Sequence, residues 1–162
     1  MATNFLWFPG TGNSGLLTTA ITLASTELVS LGSSAVVTIG TVYGTSVTGQ
    51  GIWGEVYVTF GTSVAAPAPG ANLAGWWLTS PDGGTTFEST AGFNPGPARA
   101  PDFIIPVSTI AIAAGVVAKA AGLVRIPALD FKVSVQNNLG VTFSSSATAN
   151  PSLLLAPVAV QY

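Results

Sequence analysis

The chain has 162 residues, of which 48% are hydrophobic, 6% are charged and none is Cys or His. That length fits one domain with a sizeable core. The missing Cys excludes disulfides and thiolate chemistry, and the missing His removes the commonest general base and metal ligand together.

Charge is scarce against the quarter or so of an ordinary soluble domain. A net charge of −2 with four cations argues against nucleic acid, which needs clustered Lys and Arg. The polar remainder is mostly Ser, Thr, Gly and Asn. A surface so short of charge does little to keep molecules apart. It is tolerated either because partners cover it or because hydroxyls and amides keep it wet. A mean hydropathy of +0.59 raises the question of a membrane. The longest apolar stretch, 104–124, is broken by Pro106, Ser108, Thr109, Gly115, Lys119 and Gly122, and holds no run of about 18 apolar residues. No Lys or Arg precedes an apolar N-terminal run, so no secretory signal is expected.

Residues 1–15 carry Phe5, Leu6, Trp7 and Phe8 ahead of a glycine-rich loop. They read as a first strand packed on the chain's own core, or as an arm docked on a neighbouring subunit. Residues 16–162 read as one β domain. Strands are expected over 16–24 and 35–43, with a turn region between them. Over 52–60, Val56, Val58 and Phe60 alternate with Glu55, Tyr57 and Thr59, and Gly54 marks a bulge or a close backbone approach. The segment 62–72, with Pro67 and Pro69, reads as an extended surface loop. Over 73–80 the adjacent Trp76 and Trp77 must face opposite sides of a strand, one to the core and one outward or to a second layer. Ser80-Pro81-Asp82-Gly83-Gly84-Thr85 predicts a turn, with Thr86 opening a return strand. The region 89–101, with Phe93, Pro95, Pro97, Arg99 and Pro101, is irregular. A short strand is expected over 102–107, then strand and loop over 108–122. Residues 123–126 are expected to pair forward into the segment beyond them. Phe131, Val133 and Val135 alternate with Lys132, Ser134 and Gln136. Asn137-Asn138-Leu139-Gly140 then predicts a tight hairpin, with Val141 and Phe143 resuming the strand. Residues 153–161 close the chain as a strand that Pro157 assigns to a sheet edge. The count is eight to ten short strands with long Gly/Pro/Ser loops: an all-β, antiparallel sandwich of jelly-roll type.

The chemistry-bearing residues are few. Asp82 and Glu88 face across a turn as a glycosidase pair would, but the turn itself accounts for Asp82. Asp102 and Asp130 lack the spacing of a calcium loop. The serines have no His to activate them and no Gly-x-Ser-x-Gly elbow. Residues 10–15 look like a phosphate loop without its Lys. No catalytic residue, metal ligand or cofactor is therefore assigned. Trp53, Trp76 and Trp77 form either a sugar-stacking platform or core packing. Arg99 and Arg125 anchor salt bridges at an interface or are simply solvated.

Two segments resemble small virion proteins of tailed bacteriophages. One is Gly75-Trp76-Trp77-Leu78-Thr79-Ser80-Pro81-Asp82-Gly83-Gly84-Thr85-Thr86-Phe87, similar to an apolar strand followed by a Ser-x-Asp-Gly turn and an aromatic. The other is Phe131-Lys132-Val133-Ser134-Val135-Gln136-Asn137-Asn138-Leu139-Gly140, followed by Leu153-Leu154-Leu155. With the Pro-rich stretch from Arg99 to Pro106, the likeness covers the last half of the chain. It implies a capsid decoration or cement protein, made in the host cytoplasm and located on the virion surface. Its expected partners are the major capsid protein and further copies of itself, as a dimer or trimer, with no nucleic acid and no membrane. Its contact residues would lie in the Phe5, Leu6, Trp7, Phe8 arm, at Pro67 and Pro69, and at Phe93, Pro95 and Arg99. A carbohydrate-binding head-fibre or tail module, and a tail tube or tail-completion protein, are the alternatives.

Overall fold

The computed structural model describes residues 6–9, 21–24, 26–44, 53–60, 64–88, 99–143 and 151–161, with 6–9 and 158–161 as backbone. In chain order the strands are β1 (Leu6–Pro9), β2 (Ile21–Ala24), β3 (Val36–Thr38), β4 (Trp53–Thr59) and β5 (Asn72–Thr79). They continue with β6 (Phe103–Pro106), β7 (Val117–Lys119), β8 (Val124–Arg125), β9 (Phe131–Asn138) and β10 (Ser152–Gln161). A 3₁₀ turn, Thr26–Leu28, lies in the expected turn region after β2. Among the described residues no helix is long and apolar enough to cross a membrane.

Two antiparallel sheets pack face to face, as the strand pattern predicts. The first has the order β1-β10-β4-β7, with β2 also on β10 and β8 also on β4; the second has the order β3-β9-β5-β6. The pairing has a simple logic. Going forward, β2, β3, β4 and β5 meet, in turn, β10, β9, β8 with β7, and β6. The chain is thus one long doubled ribbon, rolled so that successive strands fall on alternate sheets. The ribbon turns back between β5 and β6, and the described residues 80–88 and 99–102 belong to that tip.

Alternation along the strands fills the space between the sheets. In β4, Gly54, Val56 and Val58 are buried, while Trp53, Glu55, Tyr57 and Thr59 are half-buried on the outer face. Leu153 and Leu155 of β10 join them from the neighbouring strand. The second sheet contributes Leu73, Trp77, Phe103, Ile105, Phe131, Val133 and Val135. Trp77 packs at 5.0 Å from the Phe103 ring and 5.1 Å from that of Phe131, and Phe60 stacks on Phe143 at 5.8 Å. Such aromatic pairs add to the area they bury. Tyr43 donates to the carbonyl oxygens of Leu23 and Thr22, and burial pushes its phenol pKa up. Gly54 is a close approach, as expected: a Cβ there would sit 2.8 Å from Leu155 Cδ1.

Several expectations are corrected. The turn after β9 exists but does not close a hairpin. Both edges of β9 are taken, by β3 and β5, so 141–143 cannot pair with it. Asn137 is fully buried and works inward. Its Nδ2 donates to the carbonyls of Leu31 and Val141, and its Oδ1 accepts from Leu139 N. Phe143 N then donates to Leu31 O rather than to β9. The segment Thr86–Glu88 is not a strand; one bond, Glu88 N to Thr79 O at 3.0 Å, closes the loop. Residues 124–125 pair backward with β4, not forward. The expected strand over 35–43 is β3 followed by an isolated bridge from Tyr43 to Phe131. Residues 16–20 lie outside the described residues.

Pro157 lies in a central strand, not at an edge: β10 is paired with β4 on one side and with β2 and then β1 on the other. The physical reason is in the register. Val56 and Phe60 hydrogen-bond toward the β7 side, through Ala120 N to Val56 O and Phe60 N to Val116 O. Tyr57, Glu55 and Trp53 must then face β10, and with them Leu154, Ala156 and Val158 face β4. Pro157, opposite Gly54, therefore directs its missing N–H to the other edge. There the β2 pairing reaches Leu155 and the β1 pairing reaches Val158, so among the described residues no strand faces the Pro157 nitrogen.

Candidate functional site

The ribbon tip is held by two local devices. In the first, Asp82 organises its own turn. Its Oδ1 accepts from Thr86 N at 2.8 Å and Thr85 N at 3.2 Å, and its Oδ2 accepts from the Thr86 hydroxyl at 2.7 Å. Ser80 Oγ donates to Asp82 Oδ1 at 2.7 Å and accepts from Gly84 N at 2.8 Å. Gly83 and Gly84 take the positive φ, 69° and 89°, that the turn demands. The Thr86 amide, then its hydroxyl, then Ser80 hold the Asp82 carboxyl down to a pKa of about 2. A carboxylate so committed is a turn element, as the Pro-Asp-Gly pattern implied.

In the second, Arg99 ties the two ribbon arms together. Its Nη1 donates to Glu88 Oε2 at 2.8 Å and to the Trp77 carbonyl at 3.3 Å; its Nη2 donates to Asp102 at 2.9 and 3.1 Å. Asp102 Oδ2 also accepts from Trp77 N at 2.8 Å. Burial works against the Arg99 charge, but Asp102 and Glu88 outweigh it and raise the guanidinium pKa. Glu88 therefore serves Arg99 and the Thr79 amide, and does not converge with Asp82.

Beside the tip, a cleft of about 340 Å³ opens between the sheets. Trp77, Thr79, Arg99 and Asp102 supply one side; Arg125 and the apolar segment 126–129 supply the other. Trp77 Nε1 is buried and has no hydrogen-bond partner among the described residues. The cleft joins residues some fifty positions apart, which is why no local pattern announces it.

The outer face of the first sheet holds a polar cluster. Tyr57 donates to Glu55 Oε2, and Lys119, directly across from Tyr57, bonds Glu55 Oε1 at 3.2 Å. The Tyr57 bond lowers the Glu55 pKa, and the same bond pushes the Tyr57 phenol up to about 12. On the outer face of the second sheet, Lys132 lies 4.3 Å above the Phe87 ring.

The exposed apolar side chains are unevenly placed. Among the described residues the large ones are Val42, Ile104, Ile110, Val116, Val117, Leu123 and Leu129. Five of the seven lie between 104 and 123, the stretch that runs from edge strand β6 through edge strand β7 and just beyond it. Ala121 N donates to Ile104 O there, so the two edges run side by side along one flank. Ile104 points out from one sheet and Val117, 55% exposed, from the other; Ile110, 72% exposed, stands in the connection between them.

The residues singled out from sequence fall as follows. Trp77 is in the main core; Trp76 is buried on the opposite face of β5 with Ala74 and Leu78; Trp53 is half-buried on the outer face of the other sheet. The three occupy separate layers and form no common platform, because strand alternation splits the adjacent pair and Trp53 belongs to the other sheet. Arg99 is spent within its own chain. Pro67 is buried and Pro69 exposed. Leu6, Trp7 and Phe8 lie in β1, which pairs with the chain's own β10. Phe5, Phe93 and Pro95 lie outside the described residues. The 104–123 flank escaped notice because its apolar residues read equally well as core strand.

No protein-family model, curated protein or solved structure gives a significant match to this chain.

Proposed function

We propose that this chain is a structural virion protein of the capsid decoration type, which binds the outside of a phage head and braces it through protein–protein contacts. The observation that carries the reading is the flank at 104–123, where most of the exposed large apolar side chains among the described residues gather on the linked edges of both sheets. An interface of standard size takes about 800 Å² from each partner. That is about a tenth of the 8443 Å² the chain exposes, so one flank is enough to supply it. The doubled, rolled ribbon supports the reading as well, since it follows the strand order of a jelly roll, a fold used by viral capsid domains. That support is analogy of fold and weighs less than the flank. Scarce charge fits too: Arg99, Glu88, Asp102, Glu55 and Lys119 brace their own chain, which leaves few charges to repel a neighbour. On this reading the chain performs no catalysis, holds no cofactor, and meets the major capsid protein and further copies of itself.

Cosedimentation with head shells assembled from the major capsid protein of the same virus tests this. The wild-type chain is expected to pellet with the shells. Ile110→Lys with Val117→Lys is expected to weaken binding at least tenfold, since burying each such side chain contributes about 1.5–3 kcal/mol. Wild-type chain left in the supernatant, or a variant that binds as tightly, would overturn the proposal.

A further inference from the structure

We infer that β1 is an exchangeable strand, whose second seat is the β10 edge of another copy of this chain. The arrangement of β1 and β2 carries the inference. Both run antiparallel to β10 along the same edge, one behind the other. Pro9 is opposite Val158 and Ile21 is opposite Leu155, so the end of β1 and the start of β2 are separated by three positions of β10. That is roughly 10 Å at the rise of a strand. Eleven residues, 10–20, connect them, with glycines at 10, 12 and 15. Such a segment reaches up to about 36 Å when extended. The connection is several times longer than the seat beside β2 requires, and long enough to carry β1 to a neighbour.

The seat itself is easily vacated. β1 is four residues long and, among the described residues, pairs with β10 alone. A short edge strand with one neighbour belongs to the part of a structure that opens most readily. When it leaves, β10 presents an unpaired edge over 158–161 in the register that β1 of any copy fits. Exchange of an identical element conserves every backbone bond and so costs little. The apolar Leu6, Trp7 and Phe8 make a vacant arm unfavourable in water, which drives it into one seat or the other.

The register supplies the test. Since Ala159 faces β1 with its backbone bonds, Val160 and Trp7 form a non-hydrogen-bonded pair, the closest kind across an antiparallel ladder. The chain has no native Cys. A Trp7→Cys chain is mixed with a Val160→Cys chain at high protein concentration under a mild oxidant, and disulfide-linked heterodimer is measured on a non-reducing gel. Exchange predicts at least tenfold more heterodimer than a control pair of Trp7→Cys with Thr85→Cys. Heterodimer no more abundant than the control, while one chain carrying both substitutions closes its internal disulfide, would overturn the inference. Leu6→Cys with Gln161→Cys repeats the test in the same register should the first pair fold poorly. The assay uses purified chain without shells, so its failure leaves the flank reading untouched, and failure to bind shells leaves this one untouched.

Discussion

Asp82 spends its carboxylate on the turn that contains it, and the consequence is a pH dependence. Its pKa lies at about 2 in the folded chain against an ordinary 3.8, so the folded state favours the charged form. A depressed carboxyl contributes stability that is complete above the unfolded pKa and is lost as pH falls through the folded one. The Asp82 contribution is therefore expected to fade between about pH 4 and pH 2. Urea unfolding of wild type and Asp82→Asn across that range checks it. The gap between them should close toward pH 2, and a gap that stays constant would contradict the assignment. This turn was legible in the sequence because every one of its functions is local: Pro sets φ, Asp bonds residues three and four ahead, and Gly takes the left-handed conformation. Asn137 carries the opposite lesson. Its neighbours suggested a hairpin, but its amide is consumed by Leu31, over a hundred positions away, which no local pattern can reveal.

At the scale of the element, β5 and β6 fit because one residue has no side chain. A Cβ on Gly75 would lie 1.9 Å from Phe103 Cζ, so the Phe103 ring rests against the bare backbone of the neighbouring strand. Gly75→Ala is expected to cost about 1–3 kcal/mol through overpacking. Phe103→Leu frees that space, so the double variant should be less destabilised than the sum of the two singles. Simple additivity in urea unfolding would show that the contact is not what fixes Gly75. The alternating strands β4 and β9 were readable from period-two burial alone, whereas the place of β10 was not. The rule that puts proline at an edge concerns only the side its N–H would face. Pro157 faces the stretch of the other edge between the described pairings of β2 and β1, two strands more than a hundred residues away in sequence.

For the molecule as a whole, the doubled ribbon explains how a chain with so few charges holds its shape. Forward and returning arms pair at each described strand from β2 to β10, the tip is fastened by Asp82 and Arg99, and the core fills from alternate faces. Sandwich architecture was legible because turns and alternation are local; the pairing of first half with second was not, being a property of the rolled chain. What the ribbon leaves unsatisfied is the apolar flank from Ile104 to Leu123, and the account rests on that flank being a surface for other protein subunits. Sedimentation velocity of the purified chain over a range of concentrations tests this most directly. The account predicts a dimer or trimer for the wild type, and self-association weakened at least tenfold with unchanged circular dichroism for Ile110→Lys with Val117→Lys. A wild type that stays monomeric throughout, or a variant that assembles as the wild type does, would contradict it.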